Sequence, residues 1–336
     1  MTLGRFNELD LMRALAQADG RSGTLIDVGA HIGSYSVAFA ELGWSVIAIE
    51  PAPGIFDELR QALEQFDQAE AIQAAVTSEE VSEVDFYLSA EYWGIHSLRP
   101  FHETHTESVR VPALRLDALL TDRKLDDPVF LKVDTEGADL YVLKSLDVDR
   151  TRPAVIMCEF MDERTVPHFG YSYLDTLQYM EKWGYTPYIS EWAPVIEPSR
   201  RAQGGGPFHH LGVMRTPLAH APAWGNLIFV EPELTATFES ILMDYLTKLQ
   251  VHAEDALTQF PKLQKLVQNM RDTLDNRERK IENMEKALQQ ARARVQELES
   301  AVHSSDARIE AHLGKIQILG EQVKALQAAG QRGNED

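Results

Sequence analysis

The sequence predicts an α/β fold, in which a doubly wound, Rossmann-like parallel sheet precedes a long C-terminal α-helical coiled coil. Short apolar runs of strand length alternate with segments of helical spacing through the first half of the chain. A glycine-rich turn follows the first of these runs, and apolar residues recur in heptads from Leu263 onward. We therefore expect a catalytic or binding domain, a helical connector, a coiled coil and a disordered tail, at residues 1–232, 233–260, 261–328 and 329–336.

The individual elements follow from apolar runs that are bounded by turn residues and from apolar residues at helical spacing. The predicted strands are Thr24–Val28, Val46–Glu50, Ala71–Val76, Val84–Leu88, Val109–Leu114, Val129–Val133 and Ala154–Phe160. The predicted helices are Ser34–Leu42, Phe56–Phe66, Ala138–Leu146 and Tyr173–Trp183. Because strands and helices alternate, parallel βαβ units are the expected building blocks.

The charge of the chain is strongly acidic and unevenly distributed. The 336 residues are 44% hydrophobic, enough for a large core, and carry a net charge of −20. The region from Pro261 to Asp336 is nearly neutral, with 13 basic and 12 acidic residues, so the acidity lies before it. An acidic body argues against a nucleic-acid partner, since phosphate binding needs a basic face, but it is compatible with a small cationic ligand.

The cysteine count and the N-terminal residues indicate the cellular compartment in which the protein is expected. Cys158 is the only cysteine, which excludes an intrachain disulfide and fits a reducing environment. The first 20 residues lack the apolar core of a signal peptide, and no run approaches the roughly 18 apolar residues of a membrane span. We expect a cytoplasmic protein without a direct membrane span.

The heptad pattern predicts a parallel homodimer. With Val267 at position a, all a positions are apolar: Val267, Leu274, Ile281, Leu288, Val295, Val302, Ile309, Ile316 and Val323. Most d positions are also apolar, and parallel pairing sets Lys280 against Glu285 of the partner and Arg294 against Glu299 of the partner. A single solvent-exposed helix is the alternative, but it would leave a long apolar stripe uncovered.

The glycine-rich turn indicates the ligand. It reads DVGAHIG, with Gly29 and Gly33 in a GxxxG spacing after Asp27, which departs from the GxGxxG of dinucleotide-binding sites. Glu50 ends the second predicted strand, where a carboxylate can accept hydrogen bonds from both ribose hydroxyls. The glycines leave room for close approach, and Asp27 can face an ammonium group. A ligand with a ribose, an ammonium and a sulfonium fits best, which is S-adenosylmethionine.

Five motifs resemble the FkbM-type methyltransferase family, a branch of the class I S-adenosylmethionine-dependent enzymes. They are DVGAHIGSYS (27–36), IEPAP (49–53), LRLDALL (114–120), LKVDTEGADLYVLKSL (131–146) and CEF (158–160). The resemblance spans roughly residues 24–160 and continues more weakly to about residue 230. One departure is His31, where the family usually has Asn. The resemblance implies a Rossmann-like methyltransferase sheet, cofactor contacts at Asp27, Gly29, Gly33 and Glu50, and methyl transfer to a hydroxyl oxygen.

The candidate catalytic residues follow two predicted strands at the ends where ligands bind in open α/β sheets. Asp134 and Glu136 come directly after Val129–Val133, and either is a candidate general base. The alternative is that they cap the next helix or position the cofactor. Glu159 ends the next strand, and with Asp134 it is also compatible with a divalent ion, although we assign no metal.

His96 is a further candidate base because it titrates near neutrality, with a supporting role away from the substrate as the alternative. It lies in YWGIHSL, whose Tyr92 and Trp93 are suited to stacking on a sugar face.

The resulting hypothesis is an S-adenosylmethionine-dependent O-methyltransferase that acts on a hydroxyl of a carbohydrate or glycoconjugate. Its coiled coil would hold a dimer and dock to a glycan-assembly complex. Three alternatives remain: an inactive methyltransferase-like scaffold, methylation of a polyketide or similar small product, and a nicotinamide oxidoreductase, which the GxxxG spacing disfavours.

Overall fold

A computed structural model of the chain shows two compact units, Met1–Glu254 and Asp255–Asp336. The structure describes residues 6–18, 20–193, 210–217, 219–220, 224–250, 265, 268, 277, 279–290, 292–296, 312–315 and 320–322. Of the expected coiled coil at 261–328, only part therefore lies among the described residues, and the expected tail at 329–336 lies outside them.

The first unit contains eleven strands in the described residues. They are β1 (Thr24–Val28), β2 (Ser45–Ile49), β3 (Ala69–Ile72), β4 (Ala75–Val76), β5 (Glu83–Ser89), β6 (His105–Leu114), β7 (Val129–Val133), β8 (Val155–Met161), β9 (Thr186–Trp192), β10 (His210–Arg215) and β11 (Trp224–Val230). The helices are α1 (Glu8–Ala16), α2 (Ser34–Ala40), α3 (Pro53–Leu63), α4 (Leu116–Leu120), α5 (Asp139–Lys144), α6 (Val148–Thr151), α7 (Asp162–Phe169) and α8 (Tyr173–Glu181).

The main sheet is Rossmann-like, with eight strands in the order β10-β9-β11-β8-β7-β1-β2-β3. The strands from β8 to β3 pair in parallel, whereas β11, β9 and β10 pair antiparallel to their neighbours. Strand order reverses between β1 and β7, and the carboxyl ends of β1, β2, β7 and β8 meet at one edge. In open α/β sheets, this edge is where ligands bind.

Helices cover both faces of the sheet because its central strands are apolar on both sides. On one face α1, α2 and α3 pack over Leu25, Val46 and Phe130. On the other face α4, α5 and α8 pack over Ile26 and Leu131. Strands β1 and β7 begin and end at the predicted residues. The bounds of the other predicted strands differ from the prediction by a few residues.

A small second sheet lies beside the main one, in the order β4-β6-β5. Strands β5 and β6 form an antiparallel pair, and β4 pairs in parallel with β6. The single strand predicted at Ala71–Val76 is thus divided: Ala69–Ile72 ends the main sheet and Ala75–Val76 begins the small one. The connection between β5 and β6 carries His96 toward the main sheet.

One feature of the first unit was absent from the sequence-based prediction. The antiparallel strands β9, β10 and β11 extend the sheet beyond the parallel units, because their register depends on partners far away in sequence. The helix at residues 235–250 packs against the core through Phe238, which is fully buried, and Leu242. This helix lies within the stretch 233–260 that the sequence predicted as a helical connector, and the first compact unit ends at Glu254.

The second unit is helical at residues 279–290 and 292–296. Its described a and d positions are exposed: Ile281 by 56%, Met284 by 72%, Leu288 by 52% and Val295 by 53%. Among the residues that the structure describes, no helix has the length and apolar character needed to cross a lipid bilayer.

Candidate active site

A cavity of about 350 Å³ lies at the carboxyl edge of the main sheet. Its lining comes from the turn after β1, the ends of β2 and β7, strand β4, and the connection between β5 and β6. Its polar lining residues include His31, Tyr35, Glu50, His96, Lys132, Asp134 and Glu136. Five of the predicted site residues thus line one cavity: Gly29, Glu50, His96, Asp134 and Glu136. Its size falls in the range of small-molecule sites.

Glu50 is held at the end of β2 by two backbone N–H groups. The His31 amide donates to its Oε2 at 3.0 Å, and the Ala52 amide donates to its Oε1 at 2.9 Å. Burial raises the pKa of Glu50 to about 7, although both amides favour the ionised form. Each carboxylate oxygen has further lone pairs. An ionised Glu50 is therefore suited to accept hydrogen bonds from two neighbouring hydroxyls of a ligand.

The left-handed backbone of the turn explains His31, the departure from the FkbM-type motif. His31 has φ +52°, and its amide points at Glu50 in this conformation. Asn, Asp and His adopt the left-handed region more readily than other residues with a side chain. His31 can therefore keep the turn geometry that Asn gives.

Gly29 and Gly33 serve the packing of the protein itself. A Cβ on Gly29, whose φ is +74°, would lie 1.8 Å from the carbonyl oxygen of Asp134. A Cβ on Gly33, whose φ is +90°, would lie 2.9 Å from a methyl group of Leu59. The close approach that requires Gly29 is thus to the β7 backbone, and it brings Asp134 next to the turn. Sequence reasoning attributed that closeness to the ligand.

We expect Gly29→Ala to lower the free energy of unfolding by about 3 kcal/mol or more, from left-handed strain and a backbone clash. Gly54→Ala is the matched control, because no atom lies within 4 Å of its added Cβ and it sits in helix α3. Removing a helical glycine should leave stability unchanged or raise it by up to about 1 kcal/mol. Urea unfolding measures both variants, and equal midpoints would contradict this explanation of Gly29.

Asp27 and Asp134 share the ammonium of Lys132. Lys132 lies 3.4 Å from Asp27 Oδ1 and 3.5 Å from Asp134 Oδ2, and it donates to the Gly29 carbonyl at 3.1 Å. The Ser36 hydroxyl donates to the other oxygen of Asp27 at 2.7 Å. The cation that Asp27 meets in the structure is therefore Lys132, and Asp27 is fully buried. This arrangement makes Asp27 a support for Lys132 and leaves Asp134 facing the cavity.

Arg164 bridges Glu136 and Glu159 beside the cavity. Its guanidinium forms an ion pair with Glu136 Oε2 and lies 2.5 Å from Glu159 Oε2. Trp224 Nε1 donates to Glu159 Oε1 at 3.2 Å. Burial and Asp134 raise the pKa of Glu159, while the adjoining guanidinium favours its ionised form. Both carboxylates are thus fixed by Arg164, and Glu136 adopts a left-handed φ of +55°.

Asp134 is the most accessible of the clustered carboxylates. Its side chain is 40% exposed, compared with 21% for Glu136 and 16% for Glu159. Oxygens of the three residues lie within 4.8 Å of one another, a donor set that divalent ions also use. Arg164, however, already places a positive charge against Glu136 and Glu159. The geometry favours Asp134 as the group that meets a reactant, and we assign no metal to the cluster.

The hydrogen bonding of His96 changes the role that the sequence suggested. Its Nδ1 accepts a hydrogen bond from the Ser89 amide at 2.9 Å. In the neutral ring, Nε2 therefore carries the proton and is a donor. Burial lowers the pKa of His96 to about 4, with a smaller contribution from His105, so the ring is neutral at pH 7. A neutral His96 with this tautomer can donate a hydrogen bond into the cavity but is poorly placed to accept a proton.

Sequence reasoning missed Lys132 and Arg164. Lys132 had a signal, because a lysine within the apolar strand VFLKV must find anionic partners when buried. Arg164 had none, since it follows β8 in helix α7 and meets Glu136 only through the fold.

Residues 27–187, a little less than half of the chain, match the family model of the methyltransferase FkbM domain. The matched region contains Glu50, Asp134, Glu136 and Glu159, and it supports a methyltransferase. No curated protein matches the sequence.

Several solved structures also match at low identity. They include the precorrin-6y C5,15-methyltransferase from Geobacter metallireducens GS-15, with 14% identity, 69% of this chain and 92% of that chain covered, and a TM-score of 0.34. WbdD matches with 12% identity over 66% of this chain and 39% of that chain, and the TM-score is 0.35. TehB from Haemophilus influenzae matches with 11% identity over 66% of this chain and 61% of that chain, and the TM-score is 0.37. At these values the similarity carries no information on the substrate.

Proposed function

We propose that the protein is an S-adenosylmethionine-dependent O-methyltransferase whose acceptor is a hydroxyl group of a carbohydrate or glycoconjugate. The observation that carries this proposal is the cavity itself, which joins the carboxylate of Glu50 to the accessible carboxylate of Asp134. One end is suited to a ribose and the other to a reacting hydroxyl. The match of residues 27–187 to the methyltransferase FkbM domain gives independent support.

The residues of the cavity fit this cofactor. Glu50, fixed by two amides, would hold the ribose hydroxyls, and the turn at Gly29 would lie along the amino-acid tail. Among the described residues, the acidic groups lining the cavity are Glu50, Asp134 and Glu136, with Lys132 as the basic one. This excess of negative charge suits a sulfonium cation. Lys132 also lines the cavity, and its charge would suit the carboxylate of the amino-acid tail.

The bound cofactor would supply an activated methyl group for in-line displacement by the acceptor oxygen. Orientation of the two reactants contributes most to such a transfer. Asp134 would accept the proton of the acceptor hydroxyl, and Lys132 would hold Asp134 in place. The Nε2–H of His96 would donate a hydrogen bond to a ligand oxygen.

Two measurements on the full-length protein test the proposal. Calorimetric titration with S-adenosylmethionine should show saturable binding at one site per chain, and an absence of binding would refute the enzyme. Mass spectrometry of glycans from cells with and without the protein should then show a +CH2 species that depends on it. If a +CH2 species appears instead in a polyketide or similar small product of the same cells, the acceptor class is wrong but the methyl transfer stands.

We further propose that the C-terminal region pairs in parallel with a second copy. The exposed a and d residues Ile281, Met284, Leu288 and Val295 would otherwise leave an apolar stripe in water. β-Branched residues at a with Leu or Met at d favour two-stranded coiled coils.

We expect Leu288→Cys to form covalent dimers under mild oxidation, because equivalent a residues meet across a parallel seam. Lys286→Cys is the control, since this position lies on the outer face and pairs with Glu282. The native Cys158 is buried and adds little background. Non-reducing electrophoresis measures the fraction of cross-linked dimer for both variants. Equal cross-linking of the two, or a monomer in light scattering, would contradict a parallel seam.

A further inference from the structure

Two tryptophans lie side by side at the carboxyl edge of the main sheet. Trp192 ends β9, Trp224 begins β11, and the two residues are opposite each other in the strand register. Their ring centroids are 6.1 Å apart, with planes inclined by 48°. Both residues are half-buried, and they lie at the edge of the sheet where ligands bind.

The fold fixes both indoles through carboxylates. Trp224 Nε1 donates to Glu159 Oε1 at 3.2 Å, and Trp192 Nε1 donates to Glu8 Oε1 at 2.6 Å. Glu8 is buried and also accepts from the Ser190 hydroxyl at 2.7 Å. Rings that are already held in one orientation lose little conformational freedom when a ligand stacks on them.

A single residue, Glu159, connects the tryptophan pair with the carboxylates at the reactive end of the cavity. The carboxylate of Glu159 contacts Trp224 on one oxygen and Arg164 on the other. It also lies within 4.8 Å of oxygens of Asp134 and Glu136. A ligand resting on the indoles would therefore present its rim to the carboxylate cluster.

We propose that Trp192 and Trp224 form the acceptor subsite and bind the apolar face of a neutral pyranose ring. This inference rests on the proposed function and names where its acceptor binds. The C–H face of a pyranose matches an aromatic surface, and its rim of O–H donors matches carboxylates, which only accept. The several carboxylates at this edge disfavour an anionic sugar, and a flat aromatic acceptor would leave Asp134 and Glu136 with few donors.

The test uses the full-length protein labelled with 5-fluorotryptophan. The chain has 5 tryptophans, at positions 44, 93, 183, 192 and 224, so each ¹⁹F resonance can be assigned by single substitution. The probes are methyl α-D-glucopyranoside and methyl β-D-galactopyranoside at millimolar concentrations. We expect at least one of them to shift the resonances of Trp192 and Trp224 in a saturable manner. The resonances of Trp44, in the core, and Trp183, which follows helix α8 and packs partly buried against the core, should stay in place.

Substitution of the tryptophans tests the same subsite through the affinity for the glycosides. Trp224→Leu and Trp192→Leu should each weaken glycoside binding by about tenfold, from the loss of an aromatic face. Trp224→Phe should lose less, since it keeps an aromatic face but not the donor to Glu159. Trp183→Leu is the control and should leave the affinity within about twofold of wild type. Melting curves show whether each variant is folded.

Two results would overturn the subsite: neither glycoside shifts the resonances of Trp192 or Trp224, or the shifts occur at Trp183 instead. Calorimetry with S-adenosylmethionine on the same samples keeps the two proposals separate. If the cofactor binds but the glycosides do not, the subsite fails and the methyltransferase stands. If the glycosides bind at the tryptophans but the cofactor does not, the proposed enzyme fails and the sugar site stands.

Discussion

Asp134→Asn is expected to lower kcat by about 10²–10⁴-fold while changing the Kd for S-adenosylmethionine by less than about threefold. The amide has nearly the same shape as the carboxylate but does not accept the proton of an acceptor hydroxyl. Asp134 is also the most exposed carboxylate of its cluster, at 40% of its side chain. Initial rates of methyl transfer and calorimetric titration of the cofactor measure the two quantities.

Asp122→Asn is the matched control for charge and shape, because Asp122 is exposed and follows helix α4. It should leave kcat unchanged. Glu136→Gln separates the two candidate bases that the sequence left open. If Asp134→Asn keeps its rate and Glu136→Gln loses it, the proton goes to Glu136 and the assignment of Asp134 is wrong.

Glu50→Gln is expected to raise the Kd for S-adenosylmethionine by about 10²–10⁴-fold. Hydrogen bonds to a charged acceptor contribute about 1.5–3 kcal/mol each, and two ribose hydroxyls are involved. The amide nitrogen of Gln would also face one of the two backbone N–H groups, of His31 and Ala52, that now hold the carboxylate. Glu181→Gln, an exposed substitution in helix α8, is the control and should bind as wild type.

The raised pKa of Glu50 adds a pH dependence to cofactor binding. At about 7, the pKa means that Glu50 is mostly protonated at pH 6 and mostly ionised at pH 8. If the cofactor binds the ionised form, its Kd is about tenfold larger at pH 6 than at pH 8 and levels off above that. The buried Asp139 also has a pKa raised to about 7. The Kd for the cofactor must therefore be measured at both pH values for the Glu50→Gln variant as well as for the wild type. A dependence of equal size in that variant would assign the titration to another group.

The parallel half of the fold and the position of Glu50 at the end of a strand were accessible from local sequence patterns. Strands β1 (TLIDV) and β7 (VFLKV) are mostly apolar, and such runs are typical of strands buried on both faces. Glu50 follows from its place at the end of a strand after a glycine-rich turn. The antiparallel strands β9 to β11 were not accessible, because their positions depend on pairing between distant segments.

The roles of several site residues also required the tertiary structure. The sequence made His96 a candidate base or a supporting residue, but only the hydrogen bond from the Ser89 amide fixes its tautomer and makes Nε2 a donor. The contact of Arg164 with Glu136 and Glu159 likewise joins a helix to the ends of two strands.

The sequence by itself determined the type of fold, the strand ends that carry acids, the likeness to a methyltransferase family and the heptad pattern. These depend on local periodicity and on residue type, which are properties of short segments. Only the tertiary structure decided which carboxylate stays accessible, which cation each acid meets and which aromatic residues adjoin the carboxylate cluster. Those properties are set by burial and by distances between side chains far apart in the chain, which no local pattern contains.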